Sequence, residues 1–385
     1  MQRKENEASV RPMRIMLVTE PSGGGSGRHV ADLASYLTKY GHQVCVVYSP
    51  LRVEPRFEAE LKDRGIWHVT SIPMRRAVGP WDVASAIELR RLIVRLGPFD
   101  IIHAHSSKAG ALARLAAPRN ALKVYTPHAF RTMDPGISRG GRLIYGNIER
   151  VLGLRFTDAL VAVAPEEANH AFDLGIPPHK VHMVVNGVSP GPKIDRQNAR
   201  QMLGLEPTDI AVGFVGRLAP QKDPVRFAEA IKIANASDPR IRGIVLGAGE
   251  LEQQTFEAGK GAVRLFSGMN ARDFMPAFDI FALTSRYEAM PYVLLEALSA
   301  GLPIVATNVG GTSLTVKPSG NGIILNSAAS SNEFASALVS VANVEKLQTM
   351  SQMSTLMSQD FDIERMAIAT EKIYRNLTEL YREGA

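Results

Sequence analysis

Residues 283–311 read LTSRYEAMPYVLLEALSAGLPIVATNVGG. The run combines two carboxylates, a proline-led apolar helix, a strand and a glycine pair. Pro291 suits the first turn of a helix, where its missing N–H costs no hydrogen bond. Val293, Leu294, Ala297 and Leu298 then share one helical face. Met290, just ahead of that helix, is a poor N-cap. The first-turn amides therefore lack an obvious side-chain partner, and an anion can take that place. Glu288 belongs to the loop before the helix and Glu296 to the helix itself. Residue type alone also allows a plainer arrangement, with Glu288 a surface charge and Glu296 an exposed helix residue. As a loop carboxylate, Glu288 is expected to add little to the stability of the core.

Working outward, a chain of 385 residues exceeds one ordinary core and implies two domains. Hydrophobic residues at 45% and charged residues at 21% belong to a water-soluble globular protein. No apolar run approaches the ~20 residues of a membrane span. The opening MQRKENEASVRPM is polar and has no apolar core for a signal peptide. Residues 1–12 are read as a disordered leader and the protein as cytoplasmic. Cys45, the only cysteine, lies in the apolar run QVCVVY and reads as a buried strand residue. One cysteine excludes intrachain disulfides and multi-cysteine metal sites.

The net charge of +6 is unevenly spread. Residues 101–145 hold seven basic side chains (Lys108, Arg114, Arg119, Lys123, Arg131, Arg139 and Arg142) against the single acid Asp134. Such a segment suits a phosphate-bearing ligand, an anionic membrane surface or nucleic acid, and equally a solvated basic face. Aromatic residues interleaved with the basic ones, as single-strand nucleic-acid platforms use, are sparse. No nucleic-acid partner is expected.

The chain begins with the apolar strand MRIMLVT, followed by EPSGGGSGRHVADLASYLTKYGH. Gly23, Gly24, Gly25 and Gly27 make a loop that can approach a ligand closely, and Val30, Leu33, Ala34 and Leu37 stripe the helix after it. The spacing is not the dinucleotide G-x-G-x-x-G, and no acidic residue ends the next strand. Helical periodicity over residues 57–64, 83–96, 107–117, 143–155 and 166–174 alternates with strand-like runs over 67–72, 100–104, 122–126, 159–164 and 180–185. The break SPGPK after Asn186-Gly187 places a boundary there, giving a first domain over 13–190. The alternation restarts over 191–362. Strands are expected at 210–215, 242–246, 263–267, 280–284 and 303–306, with helices at 225–234, after GAGE and at 331–343. A closing helix covers 363–385 and is expected to pack back toward the first domain. Alternation of this kind builds parallel sheets covered on both faces, whose strand ends bind ligands. The expected class is α/β, as two doubly wound halves with a cleft between them.

GRLAPQKDP puts Arg217 and Lys222 just past a strand. Two fixed cations at a strand's C-terminal edge suit a diphosphate, whose charge needs neutralising both when bound and when leaving. At this point the chain resembles a known family, the retaining glycosyltransferases of family 4, with the GT-B fold of two Rossmann-like domains. The carriers are the Gly24–Val30 run, HAHSSKAG (103–110), YTPHAF (125–130), NGV (186–188), GRLAPQKDP, LGAGE (246–250) and SRYEAMPYVLLEALSAGLPIVAT. Glu288 and Glu296, eight positions apart, match the family's E-x7-E signature. Each motif is weak alone, whereas their order and spacing together are specific.

The resemblance implies roles residue by residue. Arg217 and Lys222 bind the donor diphosphate and stabilise it on departure. Glu296 takes the ribose hydroxyls, and Glu288, with Ala289, Met290 and Pro291 around it, faces the donor sugar. His128 contacts that sugar near the reacting carbon. Gly24 and Gly25 approach the sugar diphosphate and the acceptor. His103 and His105 are taken as structural. No protein nucleophile, catalytic metal or other cofactor is implied, because the departing phosphate takes the acceptor proton on the same face. The pattern departs at three points. Ala289 stands where a glycine is usual, Leu314 where a glutamate commonly follows the glycine pair, and Ser189 where an aspartate often follows NGV.

The HSSKAG and TPHAF segments are similar to those of enzymes building bacterial exopolysaccharide, capsule or O-antigen. The implied reaction moves a hexose-type sugar from a nucleoside diphosphate, uridine being favoured, to a polyprenyl-diphosphate-linked or other glycan acceptor. That reaction places the enzyme peripherally on the inner face of the cell membrane, with an anionic surface as a further partner. Two other readings compete: a UDP-sugar epimerase of the same fold, which would lack E-x7-E, and a weakly active homologue serving as a binding or scaffold subunit.

Overall fold

The computed structural model describes residues 11–53, 57–189 and 194–383. Seven strands build the first sheet: β1 (Arg14–Thr19), β2 (Gln43–Tyr48), β3 (His68–Ser71), β4 (Ile101–His105), β5 (Leu122–Thr126), β6 (Ala159–Ala162) and β7 (Val181–Met183). Six build the second: β8 (Ile210–Val215), β9 (Ile241–Leu246), β10 (Val263–Phe266), β11 (Ile280–Leu283), β12 (Ile304–Thr307) and β13 (Gly322–Leu325). The spatial orders are β3-β2-β1-β4-β5-β6-β7 and β10-β9-β8-β11-β12-β13. All described pairings are parallel. Helices connect the strands, so both faces are covered and the central strands are apolar throughout. β8 is buried at every position, and Ile15, Met16, Leu17 and Val18 of β1 are fully buried. Each sheet is a doubly wound Rossmann-like layer, the α/β class expected.

The chain divides into two compact units. One comprises the described residues up to Val163, then Glu167–Val184 and the chain from Glu364; the other takes Ala164–Glu166 and Val185–Ile363. The expected boundary at 190/191 and most of the expected leader lie outside the described residues. Arg11 and Pro12 carry no regular structure.

Element type agrees with the sequence expectation along most of the chain, with ends shifted by a few residues. Several elements had no expectation, among them β13 and the helices Arg196–Met202, Ala271–Phe274, Thr312–Thr315 and Val344–Ser358. The last carries little apolar periodicity and buries only Ser354 and Met357. The glycine run expected as loop instead opens the helix Gly24–Lys39, with Gly23 as N-cap and no side chain capping it. This early start requires glycine. A β-carbon on Gly27 would sit 2.0 Å from the Ser22 carbonyl oxygen.

The closing helix Ile363–Glu383 is anchored on the first unit through a polar seam. Tyr374 is fully buried, and its hydroxyl lies 2.6 Å from His103 Nδ1. Met13 N–H donates to His42 Nδ1 at 3.1 Å, which leaves the proton on Nε2, 3.3 Å from Glu371 Oε1. Tyr36 donates to the second Glu371 oxygen at 3.4 Å, and Arg375 Nε to the first at 2.9 Å. Burial pushes the Glu371 carboxyl up, but the hydrogen bonds from His42 and Arg375 outweigh it and hold the group at about 2. A carboxyl depressed in the folded state stabilises that state above its unfolded value and loses the contribution as pH falls through the folded one. Solvent reaches the Arg375 end of the seam and screens it, which leaves the Glu371 contribution at roughly 2 kcal/mol near neutrality. That contribution is complete above about pH 4.5 and fades toward pH 2. Glu371→Gln should melt several degrees below wild type at pH 7, and the gap should close as the pH is lowered through that window. A gap independent of pH, followed by circular dichroism, would contradict this linkage.

Candidate active site

In the second sheet β8 is central, with β9 and β10 on one side and β11, β12 and β13 on the other. The strand order therefore reverses between β8 and β11, and loops past the carboxyl ends of those strands flank a switch point of the kind that binds ligands. Both loops carry expected site residues.

The loop after β8 holds Arg217 and Lys222. The Lys222 stem packs over Gly216, whose β-carbon position would lie 3.5 Å from Lys222 Cε. Arg217 is exposed and forms no ion pair among the described residues. The loop after β11 holds Glu288. Thr284 Oγ1 donates to the carbonyls of Lys222 and Asp223, both at 3.0 Å. The Arg286 backbone N–H donates to the Gln221 carbonyl at 2.8 Å. Gln221 Nε2 returns a bond to the Tyr287 carbonyl at 3.2 Å. The two loops are thereby stitched together, and their charges meet: Lys222 Nζ lies 2.6 Å from Glu288 Oε1. Ser285 Oγ donates to the same oxygen at 2.7 Å. Glu288 is 8% exposed, so it is neither a surface charge nor a loop carboxylate remote from the packing.

The helix that follows is Tyr292–Ser299, with Pro291 as its N-cap in extended backbone and no side chain capping it. Pro291 thus precedes the helix, one place earlier than expected, and Met290 lies outside it. Two residues that sequence reasoning missed shape this entry. Asn186, from the NGV motif, is buried and donates its amide to the Met290 carbonyl at 3.1 Å. Gly310 admits the loop itself, since a β-carbon there would lie 2.4 Å from the Ala289 oxygen and 2.5 Å from the Glu288 oxygen. Ala289 and Met290 are buried beneath this approach. Glu296 is half-buried and lines a recess with Val188, Ser189, Arg272, Met275, Ser299 and Ala300. Arg272 carried no motif signal. It enters through a short helix, and its guanidinium donates to the Ser189 carbonyl.

The remaining expected residues belong to the first unit. Gly24 and Gly25 are exposed in the opening turn of their helix. His128 follows β5 with a left-handed backbone (φ 51°), as does Ala129 (φ 75°). The buried Glu167 carboxylate holds that turn, accepting from Ala129 N–H at 2.7 Å and Val163 N–H at 2.8 Å. Burial raises Glu167 to about 7 against the pull of those two amides. His128 Nε2 lies 3.2 Å from His105 Nδ1, with His29 and His103 close by. Burial, then mutual repulsion among these rings, holds His103, His105 and His128 well below the ordinary histidine range. They are neutral imidazoles at neutral pH. His103 is structural, both of its nitrogens being engaged by Tyr374 and Thr126.

The basic segment 101–145 is less of a patch than its composition suggests. Arg114 is buried against Glu149 at 2.8 Å, Lys108 pairs with Asp82 at 2.6 Å, and Arg131 with Asp134 at 3.0 Å. What the structure leaves open is the helix Arg139–Arg155. Leu143, Ile144, Ile148, Val151 and Leu154 are exposed on it. The exposed charges among them, Arg139, Arg142, Arg150 and Arg155, are all basic, because its one acid, Glu149, is buried.

Comparison with known proteins fits this arrangement. The profile described as Glycosyltransferase Family 4 matches residues 23–191, and that described as Glycosyl transferases group 1 matches residues 195–354. A UDP-Gal:alpha-D-GlcNAc-diphosphoundecaprenol alpha-1,3-galactosyltransferase of Escherichia coli is 32% identical over 287 residues, 70% of this chain and 73% of the relative. A D-inositol 3-phosphate glycosyltransferase of Rhodococcus opacus is 27% identical over 75% of this chain and 70% of its own length. Among solved structures, Anabaena HepE in complex with UDP and glucose superposes with a TM-score of 0.78 at 21% identity, covering 95% of this chain and 99% of that one. At that identity the likeness establishes the fold, which is GT-B.

The Lys222–Glu288 pair yields a stability test of the site itself. Removing one partner of a buried pair leaves an uncompensated charge, at a cost on the order of 3 kcal/mol, whereas replacing both by apolar groups is far milder. Lys222→Met should lower the melting temperature by several degrees, and Lys222→Met combined with Glu288→Met should recover most of the loss. Equal losses in the single and double variants would show that the two charges are not coupled.

Proposed function

This chain belongs to the glycosyltransferases of family 4, and from that premise we propose that it transfers a hexose-type sugar, with retention at the anomeric carbon, from a UDP-sugar to a polyprenyl-diphosphate-linked glycan acceptor in the assembly of a cell-surface polysaccharide. The observation that carries the reading is the cluster that Lys222 forms with the buried Glu288 and Ser285 at the switch point, beside a helix terminus that no side chain caps. The Escherichia coli relative, named for both UDP-galactose and a diphosphoundecaprenol acceptor, supports the choice of donor and acceptor class.

The chemistry follows from those parts. As the anomeric carbon–oxygen bond breaks, positive charge develops on the sugar and negative charge on the departing diphosphate. Lys222 and the exposed Arg217 are placed to stabilise the anion, with the positive end of the helix Tyr292–Ser299, which no side chain caps, following Glu288 in the chain. Lys222 is held by Glu288 before any ligand arrives, so its ammonium is already oriented. Glu288 presents its remaining oxygen to the sugar hydroxyls, and Glu296 takes the ribose. His128, neutral, contacts the sugar in the same reading, and the turn held by Glu167 fixes its direction. The acceptor hydroxyl attacks from the face the diphosphate leaves, and the departing phosphate oxygen takes its proton. This route requires no metal.

The lipid-linked acceptor brings the enzyme to a membrane surface. Among the described residues no helix is long and apolar enough to cross a membrane. The helix Arg139–Arg155 offers another mode, with exposed aliphatic side chains flanked only by arginines.

Two experiments test these readings. Incubated with a panel of UDP- and GDP-sugars, the protein should slowly hydrolyse one UDP-sugar and, with a lipid-linked acceptor, transfer it at an undiminished rate in the presence of a chelator. Glu288→Gln, which keeps the shape of the cluster, should lower kcat/KM by at least about 100-fold. Donor binding without turnover in every combination would support a scaffold role instead. Separately, the protein should co-sediment with anionic liposomes and release in high salt. Leu143→Ser combined with Ile144→Ser should weaken that association roughly tenfold or more. Indifference to lipid charge would sink the membrane reading.

A further inference from the structure

Three imidazoles from separate parts of the sequence converge in the first unit. His29 comes from the helix Gly24–Lys39, His105 ends β4, and His128 follows β5. One ring nitrogen from each lies within 4.8 Å of the others. The His29 ring centroid is 5.2 Å from that of His105 and 4.8 Å from that of His128. His105 Nδ1 and His128 Nε2 are 3.2 Å apart. That contact is a hydrogen bond, and its length is close to the ~3.4 Å between two imidazole nitrogens on one tetrahedral ion, so an ion taking the place of the shared proton would need little rearrangement.

Hydrogen bonding separates His105 from the neighbouring His103. His103 has both nitrogens engaged, by the Tyr374 hydroxyl at 2.6 Å and the Thr126 hydroxyl at 2.9 Å, and it stacks on His105 at 4.1 Å. His105 is fully buried, yet its Nε2 has no hydrogen-bond partner among the described residues. Buried imidazole nitrogens are normally paired, and this one is the His105 nitrogen not bonded to His128. The backbone adds a second anomaly. His128 and Ala129 both occupy left-handed conformations that non-glycine residues seldom adopt, and the buried Glu167 holds them there. The cost is accepted where it turns the His128 ring toward His29 and His105.

We propose that His29, His105 and His128 form a binding site for one borderline first-row divalent cation, Zn2+ being the best match. Three imidazoles with no carboxylate among them suit Zn2+ and its neighbours rather than Mg2+ or Ca2+, which seek oxygen. Three protein ligands also leave a fourth position for water or a hydroxyl, and His128, which is only partly buried, is the side from which it is reached. Transfer itself needs no such ion in the function proposed above. A bound cation would occupy the imidazole that this function assigns to the donor sugar, so Zn2+ should act as an inhibitor. That consequence rests on the proposed function; the binding does not.

Direct uptake is the test. The full chain, stripped with a chelator, should take up one Co2+ per molecule with the visible spectrum of a nitrogen-ligated ion, and Zn2+ should displace it. Zn2+ should also raise the melting temperature, since a ligand of the folded state stabilises it by mass action. His29→Gln and His105→Gln should each lose about a hundredfold or more in affinity, while exchange of the exposed His179 for Ala leaves uptake unchanged. Absence of stoichiometric uptake by wild type overturns the proposal without reference to any variant. So does uptake that persists in both glutamine variants. Uptake that leaves transfer undisturbed would keep the metal site and remove the His128–sugar assignment.

Discussion

The Lys222–Glu288 pair is the interaction on which the second unit's site depends. Its two members come from loops after β8 and β11, strands that are neighbours in the sheet yet more than sixty residues apart in sequence. Parallel strands put their carboxyl ends side by side, and the hydrogen bonds of Thr284, Arg286 and Gln221 then fix the loops to each other. The charge pair is thus built into the packing, and the ammonium assigned to the diphosphate is oriented before any ligand binds. That preorganisation is where electrostatic catalysis draws most of its strength.

Much of this is legible in the sequence, and the reason is periodicity. Apolar runs such as IAVGFV and RIMLVT, each followed by an amphipathic stretch, specify parallel strands and covering helices almost without competition. Where periodicity is weak, legibility ends. β13 is a four-residue edge strand only partly buried over most of its length, and Val344–Ser358 presents mostly polar side chains. The glycine run misleads for a different reason. Glycine is a poor helix former, but here its missing side chain lets the first turn close against Ser22.

The site shows the same division. Glu288, Glu296, Arg217 and Lys222 stand out because motif spacing marks them. What spacing cannot show is that Glu288 is buried and ion-paired, which is a property of two loops meeting in space. Asn186 lies in a recognised motif, but its partner, the Met290 carbonyl, is 104 residues away. The roles of Gly310 and Arg272 leave no mark in linear order, one being an absence of atoms and the other an isolated basic residue. His105 reads as structural when each histidine is weighed singly. Its meaning depends on His29 and His128, which nothing in the sequence connects to it.

The first unit is discontinuous: its sheet ends with β7, but the helix that seals its polar seam joins it only from Glu364. The second unit, by contrast, is drawn almost wholly from one stretch, Val185–Ile363. As a ribosome makes this chain, the later unit has all but its three-residue contribution from Ala164–Glu166 in one emerging segment. The earlier unit must wait with His42, His103 and Tyr36 uncovered until the final helix emerges. Completion of the two units therefore runs against the usual order in which domains fold from the N-terminus onward.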